Sequence, residues 1–305
     1  MRGALSRFAT AEEVRSPEFA AVNKVLDQIS VSFKLPDHSD LNELRYPWSR
    51  GMLSKPEFYA ARLWEYPYAI LAAELSPGLK VADIGCGMTA FTIYLKEHAA
   101  SDVTGVDPDV FEVGLRYKGH GVSEEFIKQT GIKFLRGDMT DVPLESDSQD
   151  RAFSISVMEH VPPHVRRGGM QELARILKPG GLAVLTVDMS MWFYMNRPLE
   201  LVYESGLNFH GLMDLRWPTQ RFGMLSDDPV KGMPADVYGM VLIKDGGAVE
   251  TQYRRDGEPV DTVSPYRVPT LTPPAFAGPR PLWRRIGSRI KRELGGTHHG
   301  GHRGS

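Results

Sequence analysis

The chain of 305 residues has a single cysteine, Cys86, which excludes an internal disulfide framework and points to a reducing compartment. It has no apolar run near the roughly 20 residues that a membrane-spanning helix requires, and stretches such as "YAILAA" and "GLAVLTV" stop far short. The opening "MRGALSRFATAEEV" turns polar and acidic before an apolar signal core can form, so no secretory peptide is expected. No internal repeat and no nucleic-acid-binding module is legible. These absences lead to the expectation of a cytoplasmic protein. Cys86 has no committed base near it in sequence, so it reads as a small side chain that suits its loop, not as a nucleophile.

Hydrophobic residues make up 42% and charged residues 24%, which suits one main globular domain with extensions. The net charge of −2 conceals an asymmetry. After Pro279, seven basic residues outnumber Glu293 by six, leaving about −8 for everything before them. In "LWRRIGSRIKREL", Leu282, Ile286, Ile290 and Leu294 recur every four residues, which predicts a basic amphipathic helix near 282–294. Such a helix suits an anionic membrane surface, the acidic body of the chain, or nonspecific nucleic acid. The first is the favoured reading, with the protein peripheral at the inner face of the membrane. The rest of 247–305 is rich in Pro, Gly and Arg and is expected to be largely disordered.

The remainder divides into a weakly patterned segment, 1–54, expected to be an N-terminal helical cap or lid, and a main domain, 55–246. In the first, Pro17 to Ile29 predicts a helix with Phe19, Val22, Val25 and Leu26 on one face. A second helix begins at "KPEFYAARLW" with Pro56 in its first turn, and Pro67 is expected to kink or split it near Tyr66. From Leu79, strands "LKVADIG", "DVTGVD", "IKFLRG", "RAFSISVM" and "LAVLTVDM" are interleaved with helical periods, one carrying Phe91, Tyr94, Leu95 and His98. "VYGMVLIKDGG" reads as a late strand. This alternation predicts an α/β fold, Rossmann-like and doubly wound, around a mostly parallel sheet.

The stretch "VADIGCGMTAF" sits where a strand passes into a helix at the carboxyl edge of such a sheet, the place where ligands bind. Read as Gly85-x-Gly87-x-x-Ala90 it fits a dinucleotide fingerprint, and read as Asp83-x-Gly85-x-Gly87 it fits an S-adenosyl-L-methionine (SAM) loop. Asp107, at the end of the next strand, suits two ribose hydroxyls in either case. Asp83 separates the readings, because a carboxylate there repels a pyrophosphate at the helix N-terminus but favours the ammonium and sulfonium groups of SAM. Thr89 stands where many loops of both kinds carry a third glycine.

From about Leu79 to Val187 the chain resembles a class I SAM-dependent methyltransferase, through "VADIGCG", "GVD", "RGDM", "VMEHV" and "LKPGGLAVLTV" in that order. The resemblance implies a seven-strand sheet and SAM as cofactor. It implies that Asp83, Gly85 and Gly87 hold the methionine portion, Asp107 the ribose, and Asp138 with Met139 the adenine, with Pro108 packed on the ring face. A turn residue is the other reading of Asp138, and a simple turn former that of Pro108.

A hydroxyl acceptor must lose its proton, so a base near neutral pKa is wanted. His160, directly after the fourth strand, is the first candidate, although a helix-start residue bonding the loop would look the same. Asp188, at the end of the fifth strand, and His210 are further candidates. Some quinone-pathway O-methyltransferases resemble "VMEHV" but carry an acid where Ser156 stands, so no metal site is expected. The aromatics of "MWFYM" (191–195), and Trp64, Tyr66 and Tyr68, read either as pocket walls or as ordinary core. The acceptor is expected to be a small molecule, a saccharide or a lipid-linked glycan methylated on oxygen, with no specific nucleic acid. Two alternatives remain open, an NAD-dependent oxidoreductase and a noncatalytic SAM-binding protein.

Overall fold

The structure, a computed structural model, describes residues 5–33, 60–99, 102–110, 122–188, 202, 205–214, 237–244, 252–254 and 261–262. The chain enters as β1 (Arg7–Phe8), followed by α1 (Ala11–Val14), where the Thr10 hydroxyl accepts from the Glu13 amide. Ser16 caps α2 (Pro17–Ser32) in the same way, accepting from Phe19 N, and Pro17 supplies a first-turn φ at no cost in hydrogen bonds. Phe19, Val22, Leu26 and Ile29 are buried, as the periodicity predicts, while Val25 is half-buried.

Pro67 neither splits nor ends α3 (Ala60–Ala72). Proline lacks the amide that would bond the carbonyl four residues earlier, here Leu63. That carbonyl instead accepts from the Asn23 side-chain amide of α2 at 2.9 Å, in a buried position. Replacing Asn23 by leucine leaves the carbonyl unpaired in the core and is expected to cost about 1–3 kcal/mol. A denaturant midpoint unchanged in Asn23→Leu would refute this role.

The alternating pattern then unrolls as expected. It runs β2 (Lys80–Ile84), α4 (Ala90–Tyr94), a π-helical turn at Leu95–Ala99, β3 (Asp102–Asp107), α5 (Glu124–Thr130), β4 (Lys133–Arg136) and β5 (Gln149–Ile155). A 3-10 turn at Met158–His160 leads to α6 (Pro163–Ile176) and β6 (Leu177–Asp188). The π turn is wider than an α turn, and His98 is exposed instead of continuing the buried face. Beyond lie β7 (Asn208–Phe209), β8 (Leu212–Asp214), β9 (Val237–Ile243), β10 (Gln252–Arg254) and β11 (Asp261–Thr262).

The main sheet has the order β1-β9-β6-β5-β2-β3-β4, with β2 to β6 parallel and β9 antiparallel to β6. Among the described residues this path has the expected seven strands, but β7 adds an eighth, so the expected count is corrected. The reason is that β9 is longer than either edge partner. β1 pairs with Gly239 and Tyr238, and β7 with Ile243 and Leu242, so the two share one edge. The N-terminal segment therefore supplies a strand to the sheet as well as helices over it. A second sheet, β11-β10-β8, has no counterpart in the sequence expectations.

One core on one face of the sheet joins α2, α3, α4 and α5 residues, among them Leu26, Leu63, Phe91 and Phe126. The other core gathers Met170, Leu173 and Ile176 of α6 on β5 and β6. Trp64 and Tyr68 stack at 4.3 Å and lie against Gly239 of β9, where a β-carbon would collide with both rings. That contact makes these two aromatics core. Among the described residues no helix is long and apolar enough to cross a membrane. Pro56, residues 191–195 and the 282–294 helix all lie outside the described residues.

Candidate active site

The strand order reverses between β2 and β5, and the loops leaving their carboxyl ends meet there. Gly85 and Gly87 adopt φ of 75° and 52°, a region that costs side-chain-bearing residues energy. A β-carbon on Gly85 would stand 2.7 Å from Val157 Cγ2, so the turn after β5 packs directly on the glycine loop. The Gly85 and Cys86 amides both donate to the Val106 carbonyl, at 2.8 and 3.3 Å, which ties the loop to β3.

Asp107 closes this loop from below. Its Oδ2 accepts from Gly87 N at 3.0 Å and its Oδ1 from Asp109 N at 2.9 Å. Burial raises its pKa, and the two backbone donors oppose the rise. Asp83 is almost wholly buried, and its Oδ2 accepts from Thr92 Oγ1 at 2.8 Å. Burial pushes Asp83 up to about 7, with Thr92 opposing the shift and the Asp107 charge adding to it. Cys86 is buried and its thiol pKa is raised, first by burial and then by Asp83 and Asp107, so a thiolate is disfavoured. Thr89, in place of a third glycine, occupies the N-cap position of α4 and shares a hydrogen bond with Tyr66. Tyr66 stacks on Phe91 at 5.0 Å, so it turns toward the loop, away from the Trp64–Tyr68 pair.

The other candidates separate. Pro108 is half-buried beside Asp107. Asp138 is exposed, and its Oδ1 accepts from both Thr140 N and Thr140 Oγ1, at 2.9 and 2.8 Å, the geometry of a turn-forming aspartate. Met139 is buried and its sulfur packs near Gly169 of α6. Asp188 ends β6 opposite Val237, and its side chain lies outside the described residues. His210 is not brought to this edge. Its Nε2 lies 3.8 Å from Glu74, and the Glu74 carbonyl accepts from Arg151 near the amino end of β5, half a sheet away from the glycine loop. Register decides this, because β7 pairs with the far half of β9.

His160 closes the 3-10 turn at the carboxyl end of β5. Its side chain is half-exposed, and Nε2 lies 3.9 Å from Glu159 Oε1. Partial burial and then the Arg62 charge lower its pKa below the ordinary histidine value, so the imidazole is neutral at pH 7. Glu159 is fully buried and accepts from Ser156 Oγ at 2.7 Å. Burial, with Glu65 adding, pushes it up to about 7. Ser156 takes φ of 55°, which lets the strand end sharply and points its hydroxyl back at Glu159.

Arg62, Glu65 and Thr186 complete this edge; Thr186 lies within "LKPGGLAVLTV", whereas Arg62 and Glu65 carry no sequence motif. The one signal is Glu65 itself, an acid inside the otherwise apolar "LWEYPYAIL". Among the described residues no group of three or more His, Cys, Asp or Glu side chains is arranged to hold a metal ion.

Residues 82–185 match the family of methyltransferase domains, and this part of the chain is a class I SAM-dependent methyltransferase domain. The dinucleotide reading of Gly85-x-Gly87-x-x-Ala90 falls away with that match. The chain is 30% identical over 129 residues to sterol 24-C-methyltransferase ERG6B of Gibberella zeae, covering 41% of this chain and 32% of that protein. It is 30% identical over 169 residues to an uncharacterized methyltransferase of Mycobacteroides abscessus, covering 55% of this chain and 60% of that one. The chain thus spans about a third and three-fifths of these two relatives. Among solved structures it is similar to a TehB-like SAM-dependent methyltransferase from Corynebacterium glutamicum, at 20% identity and a TM-score of 0.43, covering 61% of this chain and 87% of that one.

The local geometry fits the cofactor. The loop has left-handed backbone at both glycines and no room for a β-carbon at Gly85, while Asp107 stands at the end of β3 as a carboxylate acceptor for hydroxyls.

Proposed function

We propose that the chain transfers a methyl group to an oxygen atom of a small molecule, a saccharide or a lipid-linked glycan, with His160 as the proton acceptor. The observation that carries the reading is the contact between Val157 and the Gly85 position, because it sets the turn bearing His160 against the cofactor loop. SAM supplies, when bound, a methyl already activated on a sulfonium. In this reading Asp107 bonds the ribose hydroxyls, and Asp83 provides a counter-charge for the methionine ammonium. Gly85 and Gly87 let the backbone approach, and Pro108, Asp138 and Met139 flank the adenine. Residues 55–246 form the working domain, 1–54 its cap, and the 282–294 segment a contact to an anionic membrane surface.

The neutral His160 imidazole accepts a proton without first losing one. A base works in its unprotonated form. Because its pKa lies below the ordinary value, turnover is expected to hold as pH falls from 8 toward 6 and to fail only below that range. His160→Ala is expected to leave S-adenosylhomocysteine (SAH) affinity intact while lowering turnover about 10²- to 10⁴-fold. Calorimetry with SAH and a radiolabelled-SAM screen of hydroxyl acceptors measure both, and full turnover in the variant rules out the base. A SAM-binding protein without turnover would bind SAH and label no acceptor.

The sterol 24-C-methyltransferase relative supports a second reading, transfer to carbon of an apolar polycyclic acceptor. Including sterols in the same screen separates the two.

A further inference from the structure

Asp83, near the carboxyl end of the central strand β2, shares its face of the sheet with Val81 in an otherwise apolar core. Its neighbours in register are Gly105 of β3 and Phe153 of β5, and neither has a side chain that can donate to a carboxylate. Phe91 of α4 packs edge-on against Phe153 at 5.2 Å and closes the same face. The donor comes instead from Thr92, fully buried in the first turn of α4, whose hydroxyl meets Asp83 Oδ2 at 2.8 Å. An ionised carboxylate has no proton to give, so in that state the hydroxyl is the donor. Among the described residues Oδ1 accepts no hydrogen bond, yet it is not sealed from solvent.

We propose that Thr92 is a positioning residue for the cofactor: it pins Asp83 Oδ2 under α4 and so keeps Oδ1 turned toward the ammonium of the methionine portion of SAM. The inference rests on the reading of Asp83 as the counter-charge for that ammonium. A carboxylate turns easily about its last bond. Holding one oxygen removes that freedom before the ligand arrives, and preorganisation of this kind strengthens binding because less has to be ordered on association. Valine at position 92 keeps the branched shape and loses the donor, whereas serine keeps the donor and loses a methyl.

The test is calorimetric titration of the full chain at pH 8 with two ligands, SAH and methylthioadenosine, which shares the adenosine and thioether of SAH but has no ammonium. Thr92→Val is expected to weaken SAH binding by about tenfold and to leave methylthioadenosine binding unchanged, with Thr92→Ser close to the parent protein for both. Unchanged SAH affinity in folded Thr92→Val overturns the proposal. So does an equal loss for the two ligands, because a residue that merely supports the loop would weaken both. Thr92→Val leaves a buried carboxylate without its donor and can fail to fold. Combined with Asp83→Asn it leaves no such ion, and the double variant is expected to bind SAH as tightly as Asp83→Asn alone. A further loss of about tenfold in the double variant also overturns the proposal, since Thr92 would then act by a route other than Asp83. The two readings fail separately. Full SAH affinity in Asp83→Asn removes the counter-charge itself, whereas a loss in Asp83→Asn beside full affinity in Thr92→Val removes only the role of Thr92.

Discussion

Gly85→Ala is expected to weaken SAH binding at least tenfold in a protein that still folds. Two costs combine. The backbone at this position has φ of 75°, where a side-chain-bearing residue loses about 1–2 kcal/mol. The new methyl would also stand 2.7 Å from Val157 Cγ2, and the two cannot coexist without moving the loop or the turn. Both belong to the binding edge, so the strain falls on the ligand site before it reaches the core. Adding Val157→Ala removes the opposing methyls and is expected to restore part of the affinity, with the backbone cost left over. Calorimetry on the two single variants and the double variant reads the coupling as a cycle. Unaltered SAH affinity in folded Gly85→Ala would show that the loop does not hold the cofactor.

Asp83→Asn is expected to stabilise the ligand-free protein at pH 8 while weakening SAH binding. The folded pKa of Asp83, about 7, lies above its ordinary 3.8 because of burial. A carboxyl group raised in this direction contributes stability that is fully present below about pH 4 and is lost as pH rises through about 7. At pH 8 the buried carboxylate therefore costs up to roughly 4 kcal/mol relative to a neutral group. Asparagine removes that cost and still offers an oxygen to the Thr92 hydroxyl, whose bond to Asp83 is 2.8 Å. The gain in melting temperature should shrink toward pH 5, where the native aspartate is already neutral. A cationic ammonium near the carboxylate favours ionisation, so SAH binding at pH 7 is expected to release protons in the native protein and not in the variant. Calorimetry in two buffers of different ionisation heat measures this. Equal melting temperatures at pH 8 together with equal SAH affinities would remove both roles from Asp83.

Much of the fold was legible because it is written in short-range patterns. The five parallel strands follow from apolar runs of four to eight residues broken by glycine and acidic turns, and the helices on both faces follow from their periodicity. The glycine loop was legible for a similar reason, since a tight strand-to-helix turn admits few residue types. Asp107 could be placed because the next strand ends level with that loop, and its two backbone hydrogen bonds show that it also braces the loop. The split that Pro67 allowed did not occur, because the local rule counts the missing amide but not a donor from another helix. His210 was read as a base from residue type alone, and only the pairing of β7 with β9 shows that it lies toward the other end of the sheet.

The amino-acid sequence by itself determined the class of domain, the strand-loop-helix that forms the cofactor edge, and the short list of acids and histidines that can act there. Residue type and near-neighbour spacing encode these, and both act within a few positions along the chain. Tertiary structure alone decided which distant groups meet. It joined Glu65 to Thr186 across 121 positions and the Ser6 hydroxyl to the Val241 amide across 235. It also split one sheet edge between β1 and β7. Such partnerships are chosen by how whole elements pack, because a buried charge or amide takes whichever partner the packed faces bring within hydrogen-bonding distance.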